Sequence, residues 1–135
     1  NLRCFVTPAN DAEHWLIGLQ DPANDGNILL KLKMDDRAVA TSGDYRRFVV
    51  IDGQKHSHII NPATVASAND LSSVTLIAPT AMAADALATA ITVPGNEKGL
   101  DLINKTETAE AILIQSDKPG QFIKSSNAGQ YILEK

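Results

Sequence analysis

Cysteine is nearly missing from this chain of 135 residues: Cys4 stands alone, so no internal disulfide can form and the redox compartment stays open. Histidine is scarce as well, at His14, His56 and His58 only. No apolar run approaches the roughly 20 residues that a membrane-spanning helix needs. The opening Asn-Leu-Arg-Cys-Phe-Val lacks the form of a signal peptide. It also lacks an initiator methionine, which leads us to expect a processed product or the later part of a longer polypeptide. Basic residues are in deficit, 12 against 16 acidic ones, and they are dispersed apart from Arg46-Arg47. A duplex-binding surface needs a clustered basic patch, so nucleic acid is not an expected partner. Internal repeats and low-complexity tracts are absent too.

What is present reads as one globular domain. Hydrophobic residues make up 44% and charged ones 21%, a balance that argues against disorder. The length suits a single domain and can bury roughly two thirds of the unfolded surface. Leu2 to Val6 and His14 to Gln20 read as strands, and Ile28 to Met34 alternates apolar and basic residues like a strand with one wet face. With Asp21-Pro-Ala-Asn-Asp-Gly26 as turn chemistry, the opening predicts an antiparallel meander. Val39 to Thr41 and Phe48 to Ile51 are further short strands, and Asp52-Gly53 turns the chain into Lys55 to Ile60. A loop is expected from Asn61 to about Asp70.

Ser73 to Ala78 reads as a buried strand stopped by Pro79. Thr80 then caps an alanine-rich helix that Pro94-Gly95 ends. Ala83, Leu87, Ala90 and Ile91 are its expected packing face, with Asp85, Ala88, Thr89 and Thr92 on the other. A second helix is expected over Asn96 to Lys105 with Leu100 and Ile103 inward, followed by a hairpin around Ser116-Asp-Lys-Pro-Gly120 and a last strand at Tyr131 to Leu133. Strands, then helices, then strands predict an α+β fold, an antiparallel sheet with two helices packed against it.

Asp85 is the one charge in the stretch Thr80 to Val93, and Thr89 stacks on it one turn later. A carboxylate and a hydroxyl beside small residues could ligate Mg²⁺ and the phosphates it carries; a solvated helix face has the same composition. Ser42-Gly43-Asp44-Tyr45 could cradle an oxygen with its backbone amides, or be an ordinary turn. His58, at a strand end entering a loop, could serve as acid, base or hydrogen-bond donor. His56-x-His58 could instead bind a transition metal, but no third ligand is evident. Cys4 reads as a small buried residue, and Trp15 and Tyr45 as packing residues that could stack on a ring.

The order of these segments is more specific than any of them. Ala40-Thr-Ser-Gly-Asp-Tyr-Arg-Arg-Phe48 precedes Asp-Gly-x-x-x-x-His58-Ile-Ile-Asn-Pro62, then Val74-Thr-Leu-Ile-Ala78 and Ala84-Asp-Ala-Leu-Ala-Thr89. This order closely resembles the C-terminal part of the ApbE family, the FAD:protein FMN transferases once described as thiamine biosynthesis lipoproteins. His14-Trp-Leu-Ile-Gly-Leu-Gln-Asp-Pro22 and Pro94-Gly-Asn-Glu-Lys-Gly-Leu100 extend the likeness over nearly the whole chain. It implies the C-terminal half of a T-fold-related architecture, here the single domain 1–135, forming the later portion of a longer domain.

The implied activity is Mg²⁺-dependent: the pyrophosphate of FAD is split, FMN passes to a threonine hydroxyl of an acceptor protein, and AMP leaves. Some relatives instead hydrolyse FAD to FMN and AMP. On this likeness Asp85 and Thr89 hold the magnesium with backbone near Ala88 assisting, and His58 lies beside the reacting phosphate or hydroxyl. Thr41, Ser42, Gly43, Asp44 and Tyr45 line the FAD pocket. The family is commonly exported to the bacterial periplasm or anchored at the inner membrane, and its N-terminal part supplies the rest of the site. The chain departs from the family pattern at Asn61, Ala63 and Val65, where Asp, Arg and Gly are usual, and at Arg46, where Glu is common. A module that binds FAD or a nucleotide without turnover is the alternative, and a structural fragment that self-associates through an open sheet edge is a third.

Overall fold

The computed structural model describes residues 1–5, 8, 12–43 and 48–133. Strand β1 (Leu2–Arg3) is followed by β2 (Trp15–Gln20), β3 (Ile28–Met34), β4 (Ala38–Gly43), β5 (Phe48–Ile51) and β6 (Gln54–Ser57). Next come β7 (Ile60–Asn61), β8 (Ala66–Ser67) and β9 (Leu71–Ala78), and then helices α1 (Ala81–Thr92) and α2 (Gly95–Asn104). Strand β10 (Glu110–Gln115), β11 (Ile123–Lys124), a 3-10 turn at Ala128–Tyr131 and β12 (Ile132–Leu133) close the chain. A five-stranded sheet runs β1-β4-β9-β10-β11 and a three-stranded one β12-β3-β2, while β5-β6 and β7-β8 are separate hairpins. Every pairing among the described residues is antiparallel. The expected α+β class, antiparallel sheet with two helices, is what forms; the second sheet is an addition to it.

The larger sheet is covered on both faces because β9 carries apolar residues at both parities. Successive side chains alternate faces, so Val74, Leu76 and Ala78 join Ala38, Ala40, Ala111 and Leu113 beneath the helices. Ile77, Val39 and Ile112 point the other way and pack on Leu32 and Met34 of the smaller sheet. Thr75, buried on that second face, is satisfied by a 2.9 Å hydroxyl contact with Thr41 on the neighbouring strand.

The expected opening meander forms only in part. Strands β2 and β3 pair with Trp15 opposite Met34, but β1 leaves them and pairs with β4, Leu2 opposite Val39. Arg3 explains the change: its guanidinium binds the Asp36 carboxylate at 2.7 Å and also donates to the Pro79 carbonyl, just before α1. Cys4 is buried in the second core as expected, and burial together with the Asp35 carboxylate pushes its thiol pKa up.

Helix α1 starts where Thr80, in extended conformation, accepts a hydrogen bond from the Ala83 N–H at 3.1 Å, a side-chain N-cap. Its packing face is rotated from the expected one. Ala84, Ala88, Ile91 and Thr92 are the buried positions, while Ala90 is exposed and Ala83 and Leu87 flank the contact. Alanine at 81, 83, 84, 86, 88 and 90 leaves the helix nearly apolar all round, so hydrophobicity cannot select a face. Size does: alanines of the helix sit on Ala38 and Ala40 of the sheet, and the Thr92 hydroxyl donates to the Ala88 carbonyl at 2.8 Å, which lets it be buried. Helix α2 crosses α1 closely at Gly99, where a Cβ would lie 2.7 Å from the Ile91 carbonyl oxygen.

The segment expected as a plain loop after Asn61 holds the β7-β8 hairpin, closed by Val65, whose N–H donates to the Asn61 carbonyl at 2.8 Å. Val65 has φ 55° and is 82% exposed. A β-branched side chain in the left-handed region is strained, and no packing offsets it here. Val65→Gly is therefore expected to stabilise the chain by about 1 kcal/mol, read as a higher urea midpoint with an unchanged m-value. A lower midpoint would contradict the strain.

Candidate functional site

The β9-turn-α1 unit decides where the helix delivers its side chains. Helix α1 doubles back over β9 and packs on β4 and β9, and its 12 residues carry the chain about 18 Å back along the sheet. Strands β4 and β9 are antiparallel, with Gly43 opposite Ser73. The last turns of the helix thus arrive near the C-terminal end of β4. Asp85, Thr89 and Val93 follow one another at intervals of four and form one stripe along that side.

That stripe is one wall of a cleft of about 800 Å³, within the size range of small-molecule sites. Thr41, Ser42 and Gly43 contribute from β4, and His58, Ile59 and Ile60 from the segment between β6 and β7; Asn1 completes the lining. Asp85 supplies the only carboxylate among these lining residues, and none of the ion pairs among the described residues engages it. The Thr89 hydroxyl donates to the Asp85 main-chain carbonyl at 3.4 Å, which leaves its lone pairs open to the cleft. A carboxylate and a hydroxyl are hard oxygen donors, and this set fits a magnesium ion that keeps several waters and shares phosphate oxygens.

His58 is presented by a stiffened segment. The Ser57 N–H donates to Asn69 Oδ1 at 3.1 Å and the Ile59 N–H to Ser57 Oγ at 3.1 Å, while the Ala68 N–H holds the Ile59 carbonyl at 2.9 Å. Ser57 is buried and His58 exposed. The strand ends at Ser57, so His58 begins the connection rather than sharing a strand face with His56, which lies opposite Val49 in the β5-β6 hairpin. Among the described residues no three His, Cys, Asp or Glu side chains gather as a metal-binding group.

The structure thus brings together Asp85, Thr89, His58, Thr41, Ser42 and Gly43. It does not bring Ala88 to the cleft: that residue is 0% exposed beneath the helix and its carbonyl already accepts from Thr92. The Ala88 side chain seats the helix on the sheet. Asp44 and Tyr45, like Arg46, lie outside the described residues. Ile59, Ile60, Val93 and Asn1 are lining residues that sequence reasoning missed; only Val93 had a signal, its spacing of four from Thr89.

The sequence model of the ApbE family matches residues 1–113. The chain belongs to the ApbE family. An FAD:protein FMN transferase from Treponema pallidum is 41% identical over 106 residues, covering 77% of this chain and 29% of that protein. One from Haemophilus influenzae is 32% identical over 127 residues, covering 92% and 36%. The crystal structure of the ApbE protein from Thermotoga maritima superposes with a TM-score of 0.81 at 33% identity, covering 95% of this chain and 41% of that one. The chain therefore spans about a third of the length of the curated ApbE relatives it matches.

Proposed function

We propose that this chain carries the metal and proton-transfer side of an ApbE flavin transferase, acting together with the residues its relatives have outside the matched region. The observation that carries this is the meeting of His58 with Asp85 and Thr89 across one cleft whose third wall is Thr41 to Gly43. Asp85 alone would repel a pyrophosphate. Magnesium bound at Asp85 and Thr89 would supply neutralisation of the charge on the phosphate oxygens. Residues Thr41 to Gly43 would bound the flavin nucleotide. The acceptor's threonine oxygen then bonds to the phosphorus on the FMN side, the bond from that phosphorus to the AMP oxygen breaks, and AMP departs. His58, beside the reacting hydroxyl, takes its proton. Such a transfer asks the protein for positioning and charge balance more than covalent help.

A second reading, FAD or nucleotide binding without turnover, is favoured by Asn61, Ala63 and Val65, which leave the turn after His58 without an acidic or guanidinium group. The test supplies the chain with the N-terminal region of an active relative, FAD, Mg²⁺ and a threonine-bearing acceptor, and follows AMP release together with covalent flavin fluorescence. The account expects both, in equal amounts. AMP without labelled acceptor indicates an FAD pyrophosphatase; FAD binding without AMP supports the second reading and ends the first.

A further inference from the structure

Asn61 stands next to the cleft-lining Ile60 and carries two side-chain contacts that face different elements. Its Oδ1 accepts the Ala63 N–H at 2.9 Å, closing a tight turn. Since an N–H must meet oxygen, this contact fixes which end of the amide is which. The NH₂ group then faces the Val93 carbonyl at 3.4 Å. Val93 is the C-cap residue of α1 and the last member of the Asp85-Thr89-Val93 stripe. Its carbonyl is one of those a helix leaves without an intrahelical partner.

From these contacts we infer that Asn61 is a positioning residue, tying the His58 segment to the end of α1 and so setting the distance across the cleft between His58 and the Asp85-Thr89 pair. The inference deepens the FMN-transfer reading and rests on it for its functional consequence. An aspartate at this place could keep the turn with Ala63 but has no proton to offer Val93. It would set a charge against the negative end of the helix. The asparagine therefore makes a tether that an aspartate cannot make.

Two substitutions separate tether from turn. If only the turn matters, Asn61→Asp behaves as the parent and Asn61→Ala is the damaging change. If the tether matters, Asn61→Asp is worse than Asn61→Ala, because repulsion is added to the lost contact. In the completed enzyme the tether predicts that Asn61→Asp raises KM for FAD about 10-fold, a change of the size expected for one lost and repelled hydrogen bond, with a smaller effect from Asn61→Ala. In the chain alone, NMR should show Asn61→Asp shifting the amides of residues 58–60 and 91–93 together, with Asn61→Ala shifting them less. Asn61→Asp matching the parent in those amides overturns the inference, whatever the enzyme does. Coupled shifts in a protein that transfers no FMN would leave the tether standing and reject the transferase reading.

Discussion

Asp85→Ala is expected to slow FMN transfer at least about 100-fold, equivalent to roughly 2.7 kcal/mol of lost transition-state stabilisation, while the protein stays folded. The carboxylate is the sole one among the cleft-lining residues, so it is the one negatively charged donor there for the proposed magnesium, with the Thr89 hydroxyl as its neutral companion. Its removal costs the fold little. Asp85 is exposed, and no ion pair among the described residues depends on it, so the urea midpoint should move by no more than about 0.5 kcal/mol in free-energy terms. Asp85→Asn keeps the shape and loses the charge, and it should be nearly as damaging. Either variant retaining near-parental rates would show that the metal, or the chemistry, sits elsewhere.

Ala88→Leu is expected to cost about 2–3 kcal/mol and to lower Tm by roughly 10 °C. The side chain is fully buried between α1 and the sheet, in the cluster that includes Ala38, Ala40, Leu76 and Ala84. Added methylenes can be accommodated only by lifting the helix, which also carries Asp85 and Thr89 away from His58. Stability and transfer rate should therefore fall together. Ala90→Leu, on the exposed side, is the control and should be close to neutral. A neutral Ala88→Leu with a damaging Ala90→Leu would restore the packing face that the sequence suggests and contradict the observed one.

Those two alanines show where sequence reasoning stops. Ile28–Met34 was legible to its boundaries because Leu30, Lys31, Leu32 and Lys33 alternate with the pleat, and the limits of α1 were legible from Thr80 and Pro94. The helix's orientation was not, since alanines on every side leave periodicity silent and the decision falls to the small residues of β4 opposite. The assignment of β1 to the larger sheet depends on Arg3 reaching Asp36 and Pro79, at sequence separations of 33 and 76. No local pattern encodes contacts that distant.

The site divides along similar lines. Asp85 and Thr89 were visible as a pair because i and i+4 share a helix face, and His58 because a strand was expected to give way to a loop there. Their convergence was expected from the family order of segments, and physically it follows from α1 doubling back along β9 toward the end of β4. The support behind His58 escaped notice, because the side-chain oxygens of Asn69 and Ser57 accept main-chain N–H groups on either side of it and the Ala68 N–H donates to the Ile59 carbonyl, contacts that any polar loop could have offered. Asn61 read as a lost acidic group in the sequence, whereas in the fold it is a donor to Val93.

The transferase reading is tested most directly by the intact mass of the acceptor protein after incubation with FAD, Mg²⁺ and the completed enzyme. The account predicts that the acceptor gains one FMN unit with loss of water, that the gain disappears when its threonine is replaced by alanine, and that it disappears again with Asp85→Ala in the enzyme. An unmodified acceptor, alongside full modification by an active relative under the same conditions, would contradict it.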